Sequence, residues 1–287
     1  MWRELSNRLS EADEVMYETY WQLHHKPFEG AVDPRSYYPG EPHQAAILKL
    51  RYAIENRRGA ALLCGPSGTG KTLVGGMLRA ALDPDCFPIA HLVFPQMPTA
   101  ELLCHLADEM EQNTASGAPG TRGSIRRIER FLAHSAEHGR HPVLLLDEAH
   151  LIGPPETFEA LRLLLNFEVD GRPGLTLLLV GQTALLPMLQ RMPALEERLA
   201  VKSLLRAFTE RETGEYVAHR LQVSGAPATI FEPEATATLY GLTQGVPRRI
   251  NRLCDLALLI GYAEQLTTIG AEHVESVAEE LVAVAPE

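Results

Sequence analysis

Gly65-Pro66-Ser67-Gly68-Thr69-Gly70-Lys71-Thr72 spells G-x-x-x-x-G-K-T, and it follows the apolar run Ala60-Ala61-Leu62-Leu63-Cys64 as a phosphate-cradling turn follows a buried strand. The glycines let successive backbone N–H groups turn inward on an anion. Lys71 can reach the outer phosphates of a nucleoside triphosphate, and the Thr72 hydroxyl can hold Mg2+. Leu73, Val74, Met77 and Leu78 recur at helical spacing. The spacing predicts a helix that starts inside the turn and aims its positive N-terminal end at the same phosphates.

A second segment, His141-Pro142-Val143-Leu144-Leu145-Leu146-Asp147-Glu148, reads as a fully buried strand that ends in two carboxylates. At the C-terminal end of a parallel strand they would stand where such sheets bind ligands. Asp147 would reach Mg2+ directly or through water, and Glu148 would polarise a water for attack on the terminal phosphate. Taken alone, the pair reads equally well as acids capping a helix start. The letters Asp147-Glu148-Ala149-His150 also spell a helicase label, which is set aside because the chain holds one phosphate loop and is short for two motor domains.

These groups need a scaffold. A third apolar run, 175–181, ends at Gln182, whose amide can meet the attacking water or the terminal phosphate, or else cap a helix from Thr183 to Gln190. Pro88 to Phe94 and Val201 to Leu205 complete a set of strands that alternate with helices. Such alternation predicts a three-layer α/β/α fold with a mainly parallel sheet. From Thr209 the pattern is helical only: Thr209-Glu210-Arg211-Glu212 carries cap signals, Pro233 and Pro247 each open a helix, and Ala271 to Val282 forms another. The expected organisation is an N-terminal extension over 1–24, a nucleotide-binding α/β domain over 25–208 and a small all-α lid over 209–287. In the lid, Gly245-Val246-Pro247-Arg248-Arg249-Ile250-Asn251 sets arginines at a helix start, where the dipole disfavours them. That suggests an anionic partner for Arg248, or an ion pair with Asp255 or a lid glutamate.

Composition sets outer limits. The 287 residues carry a net charge of −11, which argues against a surface coated all over in nucleic acid. No apolar stretch is long enough for a membrane span, and the acidic N-terminus lacks the layout of a signal peptide. The four cysteines form no C-x-x-C pair and read as reduced thiols, hence a cytoplasmic protein.

In series, these motifs resemble the AAA+ ATPases. More narrowly, Tyr20-Trp21, Pro27-Phe28, Asp33-Pro34, Tyr37-Tyr38, His43, the turn from Gly65 to Thr72, Leu145 to Ala149, Val180-Gly181-Gln182 and the segment from Gly245 to Asn251 resemble the secretion ATPase ExeA (GspA) and its relatives, the transposition ATPases TniB and MuB. The resemblance implies ATP as nucleotide with Mg2+, Gln182 as sensor 1 and Arg248 as the lid arginine that meets the terminal phosphate. It also implies an arginine given to a neighbouring subunit's site, best matched by Arg198 and next by Arg191, and therefore a ring or filament of copies. Adenine preference follows from the same likeness, since no Asn-Lys-x-Asp motif occurs; Val32 and Tyr38 are candidates for the base pocket.

Fuller members of that branch continue into a membrane span and a periplasmic peptidoglycan-binding part, and this sequence ends at Glu287 with neither. The expectation is therefore an ATP-hydrolysing motor or switch. The alternative is an ATP-gated DNA-binding adaptor with slow hydrolysis that recruits a transposase, and a secretion partner protein is a third association to weigh. Two local features bear on partners. Trp2, Leu5, Leu9 and Met16 recur at helical spacing and predict an amphipathic helix against the chain's own domain or a partner. A loop over 113–123 leads into Arg126, Arg127 and Arg130; with Arg122, Arg126 and Arg130 make either a stripe for nucleic-acid phosphates or a solvated face.

Overall fold

The computed structural model describes residues 16–29, 37–111, 120–169 and 171–283. Its elements in chain order are α1 (Met16–Tyr20), α2 (Glu41–Glu55), β1 (Ala60–Cys64), α3 (Lys71–Ala81), β2 (Ile89–Leu92), α4 (Thr99–Glu111), α5 (Thr121–Glu137) and β3 (Val143–Leu146). A 3-10 turn at Ala149–Leu151 precedes α6 (Pro155–Leu164), and then come β4 (Glu168–Val169), β5 (Arg172–Pro173), β6 (Thr176–Gly181), α7 (Leu185–Gln190), α8 (Pro193–Glu196) and β7 (Leu199–Leu204). Helices α9 (Glu210–Val223), α10 (Pro233–Thr243), α11 (Pro247–Ala263) and α12 (Ala271–Ala283) close the series. Two compact units result, one over 41–206 and one formed by 207–287 with the N-terminal segment.

The first unit is built on a five-stranded sheet in the order β2-β3-β6-β1-β7, with every pairing parallel. The central strands β1, β3 and β6 are buried on both faces, their side chains alternating between two cores. Ala61, Leu63, Val143, Leu145, Leu178 and Val180 face α2 and α3 through Ala46, Leu50, Ile54, Val74 and Leu78. Leu62, Cys64, Leu144, Leu146, Leu177 and Leu179 face the other way, onto Leu102, Leu106, Ile128, Phe158 and Leu185. Helices on both faces of a parallel sheet make the three-layer α/β/α fold that the alternation of elements predicts. The apolar run 88–94 stops pairing at Leu92, and Val93 and Phe94 stand 59% and 61% exposed. The two-residue antiparallel pair β4–β5 has no counterpart in the sequence reading.

A buried histidine stands at the N-terminal ends of the strands. His141 Nε2 lies 2.8 Å from Thr176 Oγ1, and because the Thr176 hydroxyl donates to the Arg58 carbonyl at 2.7 Å, His141 must be the donor. Burial, with Arg57 nearby, pushes its imidazole down to about 4. The unfolded chain then binds a proton through the interval between about 4 and the ordinary value of 6.5 that the folded chain refuses. Stability from this group is complete above 6.5 and falls as pH drops toward 4. Between pH 7 and pH 5 it contributes a loss of about 2 kcal/mol. Urea unfolding at the two pH values is expected to show a smaller loss in His141→Gln than in the parent, and equal slopes would contradict the assignment.

In the second unit, α9 starts on a reciprocal cap: Glu212 N–H donates to Thr209 Oγ1, and Thr209 N–H donates to Glu212 Oε2 at 2.8 Å. Pro233 and Pro247 each sit in the first helical turn, as their preset φ favours. The core of this unit draws in residues from the other end of the chain. Trp21 and Phe28 are buried against it, with Trp21 Nε1 donating to the Leu258 carbonyl at 2.9 Å. Tyr38 packs edge-on to Phe208 and Tyr216 and donates its hydroxyl to Glu215 at 2.8 Å. The described residues between 25 and 40 therefore cluster with the helical unit, whereas the sequence reading gave them to the α/β domain of 25–208. The physical reason is that their aromatic side chains bury into the helical core. These contacts hold Tyr38 within this unit. Trp2, Leu5, Leu9 and Val32 lie outside the described residues, as do 113–119 of the expected loop, whose last residues, Thr121 to Gly123, are already helical.

Candidate nucleotide-binding site

The turn after β1 is tied to both neighbouring strands. Gly65 N–H donates to the Gly181 carbonyl at 3.3 Å and Leu205 N–H to the Cys64 carbonyl at 2.7 Å, which anchors the turn at the C-terminal ends of β6 and β7. Gly70 lies at φ 90 and opens α3; a Cβ there would sit 3.0 Å from His43 Nε2. His43, buried on α2, uses that nitrogen to donate to the Thr69 carbonyl at 2.8 Å, so α2 braces the back of the loop. Lys71 is buried at the start of α3, and its ammonium donates to the carbonyls of Gly65 (3.0 Å) and Pro66 (2.9 Å).

Two strands from β1, the chain leaving β3 brings its acids to the same place. Thr72 Oγ1 donates to Asp147 Oδ2 at 3.1 Å, and the other oxygen, Oδ1, accepts from Glu148 N–H at 2.8 Å. Asp147 is buried. Glu148 adopts φ 49, ψ 34, a left-handed conformation that costs a non-glycine residue on the order of 1 kcal/mol. This twist folds the chain into the 3-10 turn and leaves Glu148 Oε2 buried with no hydrogen-bond partner among the described residues. Neither acid caps a helix with its side chain. Gln182, at the tip of β6, likewise does not cap: Ala184 is the N-cap of α7, and Leu185 N–H closes the turn on the Gln182 carbonyl at 3.0 Å.

Chemically, the set offers two adjacent hard oxygen donors for a divalent cation (Thr72 Oγ1 and Asp147 Oδ2), a loop with a lysine for phosphate, and a buried carboxylate oxygen that accepts no hydrogen bond from the described residues. These fit a metal-triphosphate. Two further groups respond to the enclosure. Burial raises the Cys64 thiol, against the pull of Lys71, and its Sγ–H donates to the Gln182 carbonyl at 3.2 Å. Burial lowers the His91 imidazole on β2, against the attraction of Asp147.

Gly65 to Thr72, Asp147, Glu148 and Gln182 thus converge at one end of one unit. Arg198 does not join them. It precedes β7 at the opposite end of the sheet and donates to Asn166 Oδ1 at 3.1 Å. Arg191 caps α7 at its C-terminus and is exposed. Arg248 belongs to the other unit; it is exposed in the first turn of α11 and makes no ion pair among the described residues, while Asp255 accepts from the Tyr17 hydroxyl. Of the arginines in the proposed stripe, Arg122, Arg126 and Arg130 are exposed on α5. Arg127 turns inward to Asp108 (2.8 Å) and Glu111 (2.7 Å). Neither His43 nor His150 carries a role legible in the sequence; the one signal for His150 is its place two residues after the acidic doublet.

The fold and the loop together define an AAA+ nucleotide-binding protein. A family model described as an AAA domain matches residues 54–189. The General secretion pathway protein A of Aeromonas hydrophila is 34% identical over 251 residues, 86% of this chain and 45% of that protein, and the chain belongs to that AAA+ branch. The chain spans about half the length of this curated relative. Among solved structures, Cdc6p of Pyrobaculum aerophilum aligns with a TM-score of 0.69 at 15% identity, covering 91% of this chain and 74% of that one. Drosophila ORC bound to DNA aligns at 0.67 and 18%, covering 94% and 67%. At these identities the likeness concerns the fold alone. No helix among the described residues is long and apolar enough to cross a membrane.

Proposed function

We propose that this chain binds ATP with Mg2+ and hydrolyses it, working as an oligomeric motor or switch in the cytoplasm. One observation carries the reading: Thr72 Oγ1 and Asp147 Oδ2 lie 3.1 Å apart beside the phosphate loop, with Glu148 Oε2, buried and without a hydrogen bond among the described residues, next in the chain. Thr72 and Asp147 would hold Mg2+, which when bound neutralises charge on the phosphate oxygens. Lys71 exchanges the Gly65 and Pro66 carbonyls for phosphate oxygens. Glu148 accepts the proton of the attacking water, and the Gln182 amide orients that water or reads the terminal phosphate. Arg248 supplies the lid charge.

Arg198 cannot serve its own loop, because the length of β1 and β7, about 15 Å, separates it from Gly65. We assign it to the site of a second copy, with Arg191 as the other candidate, so turnover requires assembly. The rate of phosphate release per subunit should then rise steeply with protein concentration. No heat on mixing with Mg·ATP and no turnover at any concentration would overturn the proposal. A second reading, an ATP-gated DNA adaptor, rests on the exposed Arg122, Arg126 and Arg130. It predicts that duplex DNA raises the rate at low salt and loses that effect as salt increases.

A further inference from the structure

His150 sits between the two groups that the proposed reaction needs most. The 3-10 turn after Glu148 carries its ring, 11% exposed, back over the tip of β6. There, Nδ1 lies 3.3 Å from the backbone nitrogen of Gln182, whose N–H points at it, and also 3.3 Å from Glu148 Oε2. The ring lies close to Gly181, where a Cβ would stand 3.0 Å from Leu185 Cδ2, 3.3 Å from the His150 backbone nitrogen and 3.4 Å from His150 Nδ1.

One ring nitrogen cannot satisfy both neighbours. A backbone amide always carries its hydrogen, so a nitrogen facing the Gln182 N–H must offer a lone pair, which puts the imidazole proton on Nε2. That same lone pair faces the Glu148 carboxylate and gives it nothing to accept, in keeping with Oε2 being buried without a hydrogen bond. If the tip of β6 withdraws, Nδ1 is released, the Nδ1–H tautomer becomes available, and its natural acceptor is Glu148 Oε2.

We propose that His150 is a positioning residue that makes the freedom of Glu148 depend on the tip of β6. With Gln182 in place, its main-chain N–H holds His150 in the Nε2–H form and Glu148 is left to the attacking water. With Gln182 displaced, His150 claims Glu148 and hydrolysis idles. No net proton is gained or lost: the imidazole exchanges one N–H for the other through solvent. The inference deepens the hydrolytic reading and rests on Glu148 as the base.

The test sets a polar substitution against an isosteric apolar one. Asparagine can accept from Gln182 N–H with its amide oxygen while its NH2 binds Glu148, so His150→Asn should hold the carboxylate permanently. Its kcat should fall by about 10-fold or more with Mg·ATP affinity unchanged. His150→Phe can claim nothing, and its kcat should stay within about 3-fold of the parent, since the base remains unclaimed. A merely structural histidine gives the reverse order, with Phe the worse replacement, and that result, or equal effects of both, overturns the proposal. A second measurement needs no turnover. In 15N long-range spectra of histidine-labelled protein, with the His150 signal assigned by its loss in His150→Phe, Nδ1 should be unprotonated in the parent. A protonated Nδ1 in the parent overturns the inference even where the chain hydrolyses ATP, whereas an unprotonated one in a parent that does not hydrolyse ATP overturns the hydrolytic reading on which the inference rests.

Discussion

Glu148→Gln is expected to bind Mg·ATP as tightly as the parent and to lose turnover by about 100-fold to 10,000-fold, the range that a positioned base contributes. The amide keeps the shape of the carboxylate and its left-handed backbone (φ 49) but cannot take a proton from water. Lys71→Ala should fail one step earlier. Its ammonium is a buried charge at the mouth of α3, and without it the loop keeps its N–H groups but loses the point charge for the outer phosphates. Calorimetry with Mg·ATP and steady-state phosphate release, run on both variants, separate the two roles. Heat of binding in Glu148→Gln and none in Lys71→Ala is the expected pattern. An undiminished steady-state rate in Glu148→Gln would remove that residue from the mechanism.

What could be read from the sequence is what chemistry or local geometry writes into neighbouring residues. The turn from Gly65 to Thr72 is legible because its glycines, lysine and threonine must be contiguous to surround one ligand. The leucine and valine runs of β1, β3 and β6 are legible because strands covered on both faces cannot tolerate polar positions. The caps at Thr209, Pro233 and Pro247 declare helix starts for the same local reason. What stayed hidden depends on residues far apart. The burial of Trp21 beneath Leu258 joins positions 237 apart, and nothing near Trp21 announces it. Arg127 is indistinguishable in sequence from Arg126 and Arg130, and only the presence of Asp108 and Glu111 on α4 turns it inward. Two-residue strands such as β4 and β5 are too short to show a period. The doublet Asp147-Glu148 was legible as acids at a strand end, but the αL twist of Glu148 and the shared nitrogen of His150 belong to the three-dimensional turn alone.

The second large effect is one of folding, in the helical unit. Gly245 follows α10 at φ 68, a conformation that costs an L-residue about 1–2 kcal/mol, and its carbonyl accepts from Phe208 N–H at 2.9 Å. The return contact is tighter: a Cβ on Gly245 would fall 1.9 Å from the Phe208 carbonyl oxygen and 2.8 Å from its carbon. Both are backbone atoms, so relief requires the strand-like segment before Thr209 to move away from the start of α11. That movement breaks the Phe208 hydrogen bond and unseats the Phe208 ring from Tyr38 and Tyr216. Strain, a lost buried hydrogen bond and a disturbed core together should cost about 3–5 kcal/mol, a large part of the stability of a unit this size. Gly241→Ala, three residues inside α10 with no atom within 4 Å of the added methyl, is the matched comparison. It should gain up to about 1 kcal/mol from helix propensity. Thermal unfolding followed by Phe and Tyr near-ultraviolet dichroism should therefore move in opposite directions for the two variants. Equal midpoints would show that the Gly245 backbone is not held by Phe208.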